Sequence, residues 1–309
     1  MQKEVVSIDL GSNSFRVLKY DCINNKIISE YNQVVGTADN LISTGLISQE
    51  AQDRVIKALK KSIEIVNYDP SSAIAVTTAA MRKATNNQKV LQNFEEQTSV
   101  KFSIIDGIEE ARLTLLAVKY ALKREKINSS KFILLDIGGG STEIIVNTND
   151  EYKAHSFDFG IVTMTQKFLE HNDLHKDLAK KKTQIKEYLD SLNINLSEYE
   201  FVATAGTPTT IAAVKLGQDF FSYDRNVVNG TVVNLNDLQN CLNIFDECSK
   251  DEITKLVGSG RIEFIQVGIY IYKTIFEVLE KNESIVLDDG LREGVAINHC
   301  ISNCTKSKV

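Results

Sequence analysis

The fold is decided by a motif that occurs twice, Asp9-Leu-Gly-Ser-Asn-Ser14 and Asp136-Ile-Gly-Gly-Gly-Ser141. The first copy follows the apolar run Val5 to Ile8, and the second follows the apolar run Phe132 to Leu135. Each copy predicts a buried strand that ends at a carboxylate, then a tight turn of small residues, then a second strand. Because the copies are far apart in the sequence, they predict two related lobes whose turns face each other across a phosphate-binding cleft.

The chemistry of such turns favours anions. Glycine allows backbone angles that other residues avoid and lets a ligand approach the main chain. Successive N–H groups in the turn form an anion-binding concavity. A neighbouring aspartate, here Asp9 or Asp136, can hold a hydrated Mg²⁺, which meets only one or two carboxylates. The residues predicted to bind phosphate are Gly11, Ser12, Asn13 and Ser14 in the first turn and Gly138, Gly139, Gly140 and Ser141 in the second.

The order of predicted elements repeats as well. Hydrophobic periodicity predicts the series β-β-β-α-β-α in each half. The polar segment Lys123 to Ser130 is the predicted boundary, which gives an N-terminal lobe 1–124 and a C-terminal lobe 125–309. A third small-residue turn, Gly206-Thr-Pro-Thr-Thr210, follows a predicted strand and opens a helix, where backbone N–H groups can bind an anion.

Composition limits the partners. The chain has 309 residues, with 43% hydrophobic and 25% charged residues, which is typical of a globular protein. A net charge of −6 gives no general basic field for nucleic acid, and no apolar run has the length of a membrane span. The odd, scattered cysteines favour reduced thiols and a cytoplasmic location. These cysteines are Cys22, Cys241, Cys248, Cys300 and Cys304.

Six motifs, in order along nearly the whole chain, resemble those of the exopolyphosphatase / guanosine pentaphosphate phosphohydrolase (Ppx/GppA) family. They are Ser7-Ile-Asp-Leu-Gly-Ser-Asn-Ser-Phe-Arg16, Thr77-Thr-Ala-Ala-Met-Arg-Lys-Ala-Thr-Asn86, Gly107-Ile-Glu-Glu-Ala-Arg-Leu113, Asp136-Ile-Gly-Gly-Gly-Ser-Thr-Glu143, Ala205-Gly-Thr-Pro-Thr-Thr-Ile-Ala-Ala213 and Gly290-Leu-Arg-Glu-Gly294. The resemblance implies an α/β protein with the actin-like ATPase (ribonuclease H-like) fold. Long members carry a further C-terminal helical region, so a chain that stops at Val309 is expected to be a short, two-domain member.

The resemblance also implies roles for individual residues. Glu110 falls on the catalytic base, while Asp136 and Glu143 fall on positions that handle the metal and water. Asp9 is expected to share the metal role because it is the counterpart of Asp136 in the first motif. Gly206, Thr207 and Thr209 would join the two turns in binding phosphate, and Arg16 and Arg261 would contact a nucleotide.

Two further expectations come from the residues themselves. Arg82 follows a strand end and is expected to contact phosphate. Because adjacent helical residues point in different directions, only one of Glu109 and Glu110 should serve the site, and Glu109 is expected to have a structural or solvent-facing role.

The leading prediction is a Mg²⁺-dependent exopolyphosphatase acting on inorganic polyphosphate. Hydrolysis of guanosine pentaphosphate is the alternative, since both substrates end in the same anhydride. A kinase of the same fold is disfavoured because the motif places Glu110 for attack by water and no sugar-site signature is evident. A non-enzymatic alarmone sensor is disfavoured because it would not need the carboxylates Glu110, Asp136 and Glu143. The lysine run around Lys180 to Lys182 is either a polyanion contact or, as we expect, a solvated helix face. A homodimer is left open.

Overall fold

The computed structural model describes residues 3–149, 151–171 and 173–306. The strands are β1 (Glu4–Leu10), β2 (Ser14–Asp21), β3 (Lys26–Val34), β4 (Ile74–Thr77), β5 (Phe102–Ile104), β6 (Phe132–Ile137), β7 (Thr142–Asn147), β8 (Tyr152–Phe157), β9 (Glu200–Thr204), β10 (Thr231–Asn234) and β11 (Glu283–Val286). The helices are α1 (Leu41–Thr44), α2 (Gln49–Val66), α3 (Ala79–Lys83), α4 (Asn87–Thr98), α5 (Gly107–Arg124), α6 (Ile161–His171), α7 (Leu174–Ser191), α8 (Gly206–Lys215), α9 (Arg225–Val228), α10 (Leu235–Glu247), α11 (Lys250–Val257), α12 (Ile262–Leu279) and α13 (Leu291–Lys306).

The described residues form two compact units. Unit 1 contains those up to Val118 together with those from Asp289 onward, and unit 2 contains Lys119–Asp288. This division differs from the sequence-based one at the C-terminal end, where α13 belongs to unit 1 because it packs on β1 and β2. The sequence alone places α13 in the second lobe, because its pattern predicts a helix but not the sheet on which the helix packs.

Each unit is built on one mixed sheet, and the two sheets share a topology. In unit 1 the strand order is β3-β2-β1-β4-β5, with β1 antiparallel to β2 and parallel to β4. Unit 2 repeats this order and these directions as β8-β7-β6-β9-β11. It adds β10 as an antiparallel edge strand beside β11. The duplicated arrangement confirms the predicted actin-like fold class, and β10 is an element that the sequence analysis did not predict.

The central strands place the two turns. All six residues from Val5 to Leu10 are buried, and β6 is buried at every position but Asp136. Such apolar runs belong in the middle of a sheet covered on both faces. The parallel neighbours β4 and β9 end beside them, where Leu10 pairs with Thr77 and Asp136 pairs with Thr204. In each unit, the turn after the first strand therefore lies at the same sheet edge as the start of the helix after the fourth strand.

The core of unit 2 surrounds α12, whose apolar residues face the sheet. Phe276 packs edge to face on Phe201 of β9, with 4.9 Å between ring centroids, and Tyr272 contacts both rings. All three side chains are buried. Helix α12 is therefore a central element of the core of unit 2.

A disulfide joins Cys22, just after β2, to Cys300 in α13. The expectation of reduced thiols throughout is wrong for this pair, because α13 returns to the first sheet and brings together two cysteines separated by 278 positions. Cys241 and Cys248 are free, and the side chain of Cys304 lies outside the described residues. None of the helices in the described part of the chain is long and apolar enough to cross a membrane. The cytoplasmic location stays a prediction.

Candidate active site

The two predicted phosphate turns close in the same way. In unit 1 the Gly11 N–H donates a hydrogen bond of 2.9 Å to the Ser14 carbonyl. In unit 2 the Gly138 N–H donates a hydrogen bond of 3.0 Å to the Ser141 carbonyl. Identical closure by residues in equivalent positions shows that the sequence repeat is also a repeat of backbone geometry.

The carbonyl groups of the first turn are held from behind by the segment after β3. The Asn13 carbonyl accepts hydrogen bonds from the N–H groups of Val35 (2.8 Å) and Gly36 (3.0 Å). The Ser12 carbonyl accepts one of 2.8 Å from Ala38. Gly36 has φ of 58°, a left-handed conformation that glycine adopts without strain. These bonds fix the turn before any ligand arrives.

The second turn has an equivalent support at the start of α6. The Gly138 carbonyl accepts from Ile161 (3.0 Å), and the Gly139 carbonyl accepts from Val162 (2.8 Å). A Cβ atom on Gly160 would lie 2.4 Å from the Gly138 oxygen, so only glycine allows this close approach. The sequence analysis missed Gly160, although a glycine just after the third strand of the half, as at Gly36, was the available signal.

Two carboxylates stand side by side in unit 2. Asp136 of β6 is the direct cross-strand partner of Glu143 on β7. Glu143 is 1% exposed, and its Oε1 accepts a hydrogen bond of 2.6 Å from the Ser156 hydroxyl. Adjacent carboxylates repel each other unless a cation or a proton intervenes. The donor set therefore fits one Mg²⁺ held by one or two carboxylates and water.

No group of three or more His, Cys, Asp or Glu residues that could hold a metal is found within the described ranges. In unit 1, Asp9 is buried and is the cross-strand partner of the half-buried Arg16. The pairing places a carboxylate and a guanidinium group on the two strands that flank the first turn.

Glu110 lies in the first turn of α5 and is paired with Arg82 of α3. The Arg82 Nη1 donates hydrogen bonds of 2.8 Å both to Glu110 Oε2 and to the Ile105 carbonyl. The side chain of Glu110 is 11% exposed and that of Arg82 is 22% exposed. The sequence predicts that Arg82 contacts phosphate; its partner in the structure is Glu110, and phosphate contact stays a prediction.

Glu109, the neighbour of Glu110, pairs with a different arginine. Its carboxylate accepts from Arg112 at 2.7 Å, its side chain is 40% exposed, and Arg112 also contacts Asn298 of α13. The expectation that Glu109 and Glu110 face different ways is confirmed, and Glu109 has the structural role predicted for it.

The third turn joins β9 to α8 through a strained residue. Ala205 has φ of 77° and ψ of −176°, a region that is essentially reserved for glycine. The Thr209 hydroxyl donates to the Ala205 carbonyl (2.9 Å), and the Thr210 hydroxyl donates to the Gly206 carbonyl (2.7 Å). These bonds hold the first turn of α8, and strain of this kind clusters at ligand sites.

Thr207 is the second residue of α8, and Arg261 lies against its first residue, Gly206. The Thr207 side chain is buried against α12, where a Cβ on Gly268 would lie 2.3 Å from its hydroxyl oxygen. A phosphate role for Thr207 is therefore left to its backbone N–H. The guanidinium carbon of Arg261 lies 3.7 Å from the place that a Cβ of Gly206 would occupy. Arg261 is thus beside the first residue of α8, as a ligand contact there requires.

Tyr223 and Asp288, which the sequence analysis missed, complete this part of the site. Thr209 and Asp288 lie near the Tyr223 hydroxyl, and Arg225 Nε lies 3.6 Å from Asp288 Oδ2. The residue is 37% exposed, yet its hydroxyl lies inside this network, and burial followed by the Asp288 charge raises the pKa of Tyr223. The polar segment after α8 carried no motif that pointed to it.

The predicted site residues thus form one set in each unit. The set in unit 1 is Asp9, Gly11, Ser12, Asn13, Ser14, Arg16, Arg82 and Glu110. The set in unit 2 is Asp136, Gly138, Gly139, Gly140, Ser141, Glu143, Gly206, Thr207, Thr209 and Arg261.

Known proteins share this sequence over most of its length. A bifunctional 3-dehydroquinate synthase/phosphatase of Fusobacterium nucleatum is 26% identical over 92% of this chain and 44% of its own length. A provisionally assigned exopolyphosphatase of Haemophilus influenzae is 26% identical over 95% of this chain and 90% of its own. A guanosine-5'-triphosphate,3'-diphosphate pyrophosphatase of Vibrio vulnificus is 28% identical over 94% of this chain and 58% of its own length. The chain therefore spans only about half the length of the first and third of these relatives.

A solved structure of the Aquifex aeolicus Ppx/GppA enzyme superimposes with a TM-score of 0.73 and 28% identity. The superposition covers 96% of this chain and 99% of the Aquifex chain. The sequence model of the Ppx/GppA phosphatase family matches residues 17–302. The chain belongs to the Ppx/GppA phosphatase family.

Proposed function

We propose that the protein hydrolyses the terminal phosphoanhydride bonds of inorganic polyphosphate and releases orthophosphate, with Mg²⁺ as cofactor. Family membership supports phosphoanhydride hydrolysis as the reaction. The similarity to the Haemophilus protein over 90% of its length supports polyphosphate as the substrate. The observation that carries the proposal is the buried carboxylate of Glu110 at the start of α5. A hydrogen bond from Arg82 of α3 holds this carboxylate in place.

Each group has a role in that reaction. Glu110 would orient the attacking water and accept its proton, as a carboxylate base does. Arg82 would hold the carboxylate in place, and the preformed turns at Gly11 and Gly138 would direct backbone N–H groups at phosphate oxygens. Mg²⁺, held by Asp136 and Glu143, would neutralise negative charge on the transferred group. Positioning and electrostatic stabilisation of this kind provide most of the catalysis in phosphoryl transfer.

Guanosine pentaphosphate hydrolysis is the second candidate. The Vibrio relative is named for that activity, and Arg261 lies beside the first residue of α8, where a nucleotide could be contacted. The same carboxylates and turns would serve, because both substrates present a terminal anhydride.

The test is a phosphate-release assay with purified protein and Mg²⁺, comparing kcat/KM for long polyphosphate, guanosine pentaphosphate and ATP. The proposal requires polyphosphate to have the highest value. A higher value for guanosine pentaphosphate would replace it by the second candidate. Absence of phosphate release from all three substrates would refute hydrolysis altogether.

A further inference from the structure

Arg54 of α2 binds the segment that supports the first phosphate turn, which we define as the backing segment, residues 35–39. Its Nε donates a hydrogen bond of 2.6 Å to the Val35 carbonyl, and its Nη2 donates one of 3.1 Å to the Gly36 carbonyl. The same Nη2 forms an ion pair of 2.5 Å with Asp39 Oδ2. One planar guanidinium group therefore holds three acceptors in a fixed arrangement, which a lysine ammonium group cannot reproduce.

The backing segment is in turn bonded to the phosphate turn itself. The N–H groups of Val35 and Gly36 donate to the Asn13 carbonyl, and the Ala38 N–H donates to the Ser12 carbonyl. Val35 and Gly36 each bind the turn through the N–H group and the guanidinium group through the carbonyl oxygen. The guanidinium group is thus two residues' width away from the backbone groups that are proposed to meet phosphate.

The shape of the backing segment depends on this guanidinium group. The segment lies between β3 and α1 and belongs to neither element. The Asp39 N–H donates to the Gly36 carbonyl at 3.1 Å, and a Cβ on Gly36 would lie 2.5 Å from the Asp39 carboxylate. Val35 is buried, so its carbonyl would be shielded from water if the donor were removed, and an unpaired buried acceptor is costly. The second turn differs, because the N–H groups that hold it belong to a helix, α6, which keeps its own shape.

We infer that Arg54 is a positioning residue for substrate binding, which fixes the first phosphate turn through the backing segment and does not itself contact the substrate. The inference rests on the phosphate-binding role proposed above for that turn. Its consequence is that substrate affinity depends on a side chain of α2, outside the two repeated motifs. Preformed donors of this kind bind an anion without a cost of reorganisation.

The experiment measures two quantities on the full chain with Mg²⁺. One is KM for polyphosphate from phosphate release, and the other is the calorimetric Kd for imidodiphosphate, a pyrophosphate analogue whose P–N–P bridge resists hydrolysis. Arg54→Ala should raise both about 10- to 140-fold, the loss expected for one hydrogen bond to a charged phosphate oxygen, and should change kcat less. Arg54→Lys should recover only part of the affinity. Guanidinium chloride, well below the concentrations that unfold the protein, should restore binding to Arg54→Ala.

Asp39→Asn separates positioning from direct contact by the sign of its effect. If Arg54 bound phosphate directly, removing the neighbouring negative charge would favour the anion and lower both KM and Kd. If Arg54 acts through the backing segment, loss of the ion pair loosens the turn and both quantities should rise. This variant and Arg54→Lys also carry the test if Arg54→Ala does not fold.

Lys19 of β2 provides the matched control, because it makes similar contacts near the other end of α2. Its Nζ lies 3.1 Å from Glu4 Oε2 and donates to the carbonyl of Asn67, the residue that ends α2, at 3.4 Å. Lys19→Ala should lower the midpoint of unfolding and leave KM and Kd at the wild-type values.

Four results would each overturn the inference. They are unchanged KM and Kd in Arg54→Ala, tighter binding in Asp39→Asn, equally weakened binding in Lys19→Ala, and failure of the wild type to bind imidodiphosphate. A failure of the proposed hydrolysis would be seen instead as absent phosphate release from every substrate, while the Kd for imidodiphosphate would still test the role of Arg54.

Discussion

Replacing Glu110 by Gln tests the centre of the proposed chemistry. The amide preserves size and can still accept from Arg82, but it cannot take a proton from water. Loss of a general base costs about 10²- to 10⁴-fold in rate, or ~2.7–5.4 kcal/mol of barrier. A charge-assisted hydrogen bond contributes about 1.5–3 kcal/mol and a neutral one about 1 kcal/mol. For the 2.8 Å bond between Arg82 and Glu110, the variant should therefore lose about 0.5–2 kcal/mol of unfolding free energy.

The neighbouring residue provides the control. Glu109→Gln changes a 40% exposed side chain in a surface pair with Arg112, which should cost less than about 1 kcal/mol and leave turnover intact. Both variants would be compared with wild type by phosphate release from polyphosphate at saturating Mg²⁺ and by denaturant unfolding. Near-normal kcat in Glu110→Gln would refute the assignment, and an equal loss in Glu109→Gln would show that the defect is structural.

Four shorter predictions follow from other features. Asp136→Asn should raise the Mg²⁺ concentration needed for half-maximal rate, and an unchanged requirement would remove this residue from the metal site. Because Lys180 and Lys182 are paired with Asp177 and Glu277, replacing Lys180 to Lys182 by Ala should leave the salt dependence of KM for long polyphosphate unchanged; a flatter slope would show that these lysines bind the chain. Cys22→Ser should lower the unfolding free energy by about 2–5 kcal/mol, and reductant should have the same effect on wild type but none on the variant. Thr37→Val should stabilise the fold by about 1 kcal/mol in denaturant melts, because the Thr37 hydroxyl is buried without a hydrogen-bond partner in the described part of the chain; a loss would show that the hydroxyl is satisfied.

The sequence predicted the repeated fold because its signals are local. Apolar runs that end at Asp9 and Asp136 require buried strands, and the small residues after them require turns. The same local signals could not place α13, since a helix pattern does not identify the sheet on which the helix packs. The Cys22–Cys300 disulfide was missed for the same reason.

Part of the candidate site, like part of the fold, could be predicted from the sequence. Helix geometry separated Glu109 from Glu110 correctly, since their directions depend only on α5. The pairing of Arg82 with Glu110 depends on the approach of two helices, which no spacing in the sequence reveals. The role of Tyr223 depends on contacts with distant segments, so it could be found only in three dimensions. Gly160 could have been found from the sequence, because it follows the third strand of its half as Gly36 does.

The discontinuity of unit 1 has a consequence for synthesis of the chain on the ribosome. At about 5–20 residues per second, α13 emerges roughly 15–60 s after β1, the strand on which it packs. Unit 2 lies between these segments in the sequence and can fold during that interval. The apolar surface of β1 stays exposed during the same interval, because α13 has not yet been synthesised. Cys22 also remains a free thiol during this time. Cys241 and Cys248 emerge from the ribosome before Cys300, the native disulfide partner of Cys22. The nascent chain therefore passes through a period in which aggregation and incorrect thiol pairing compete with completion of the first sheet.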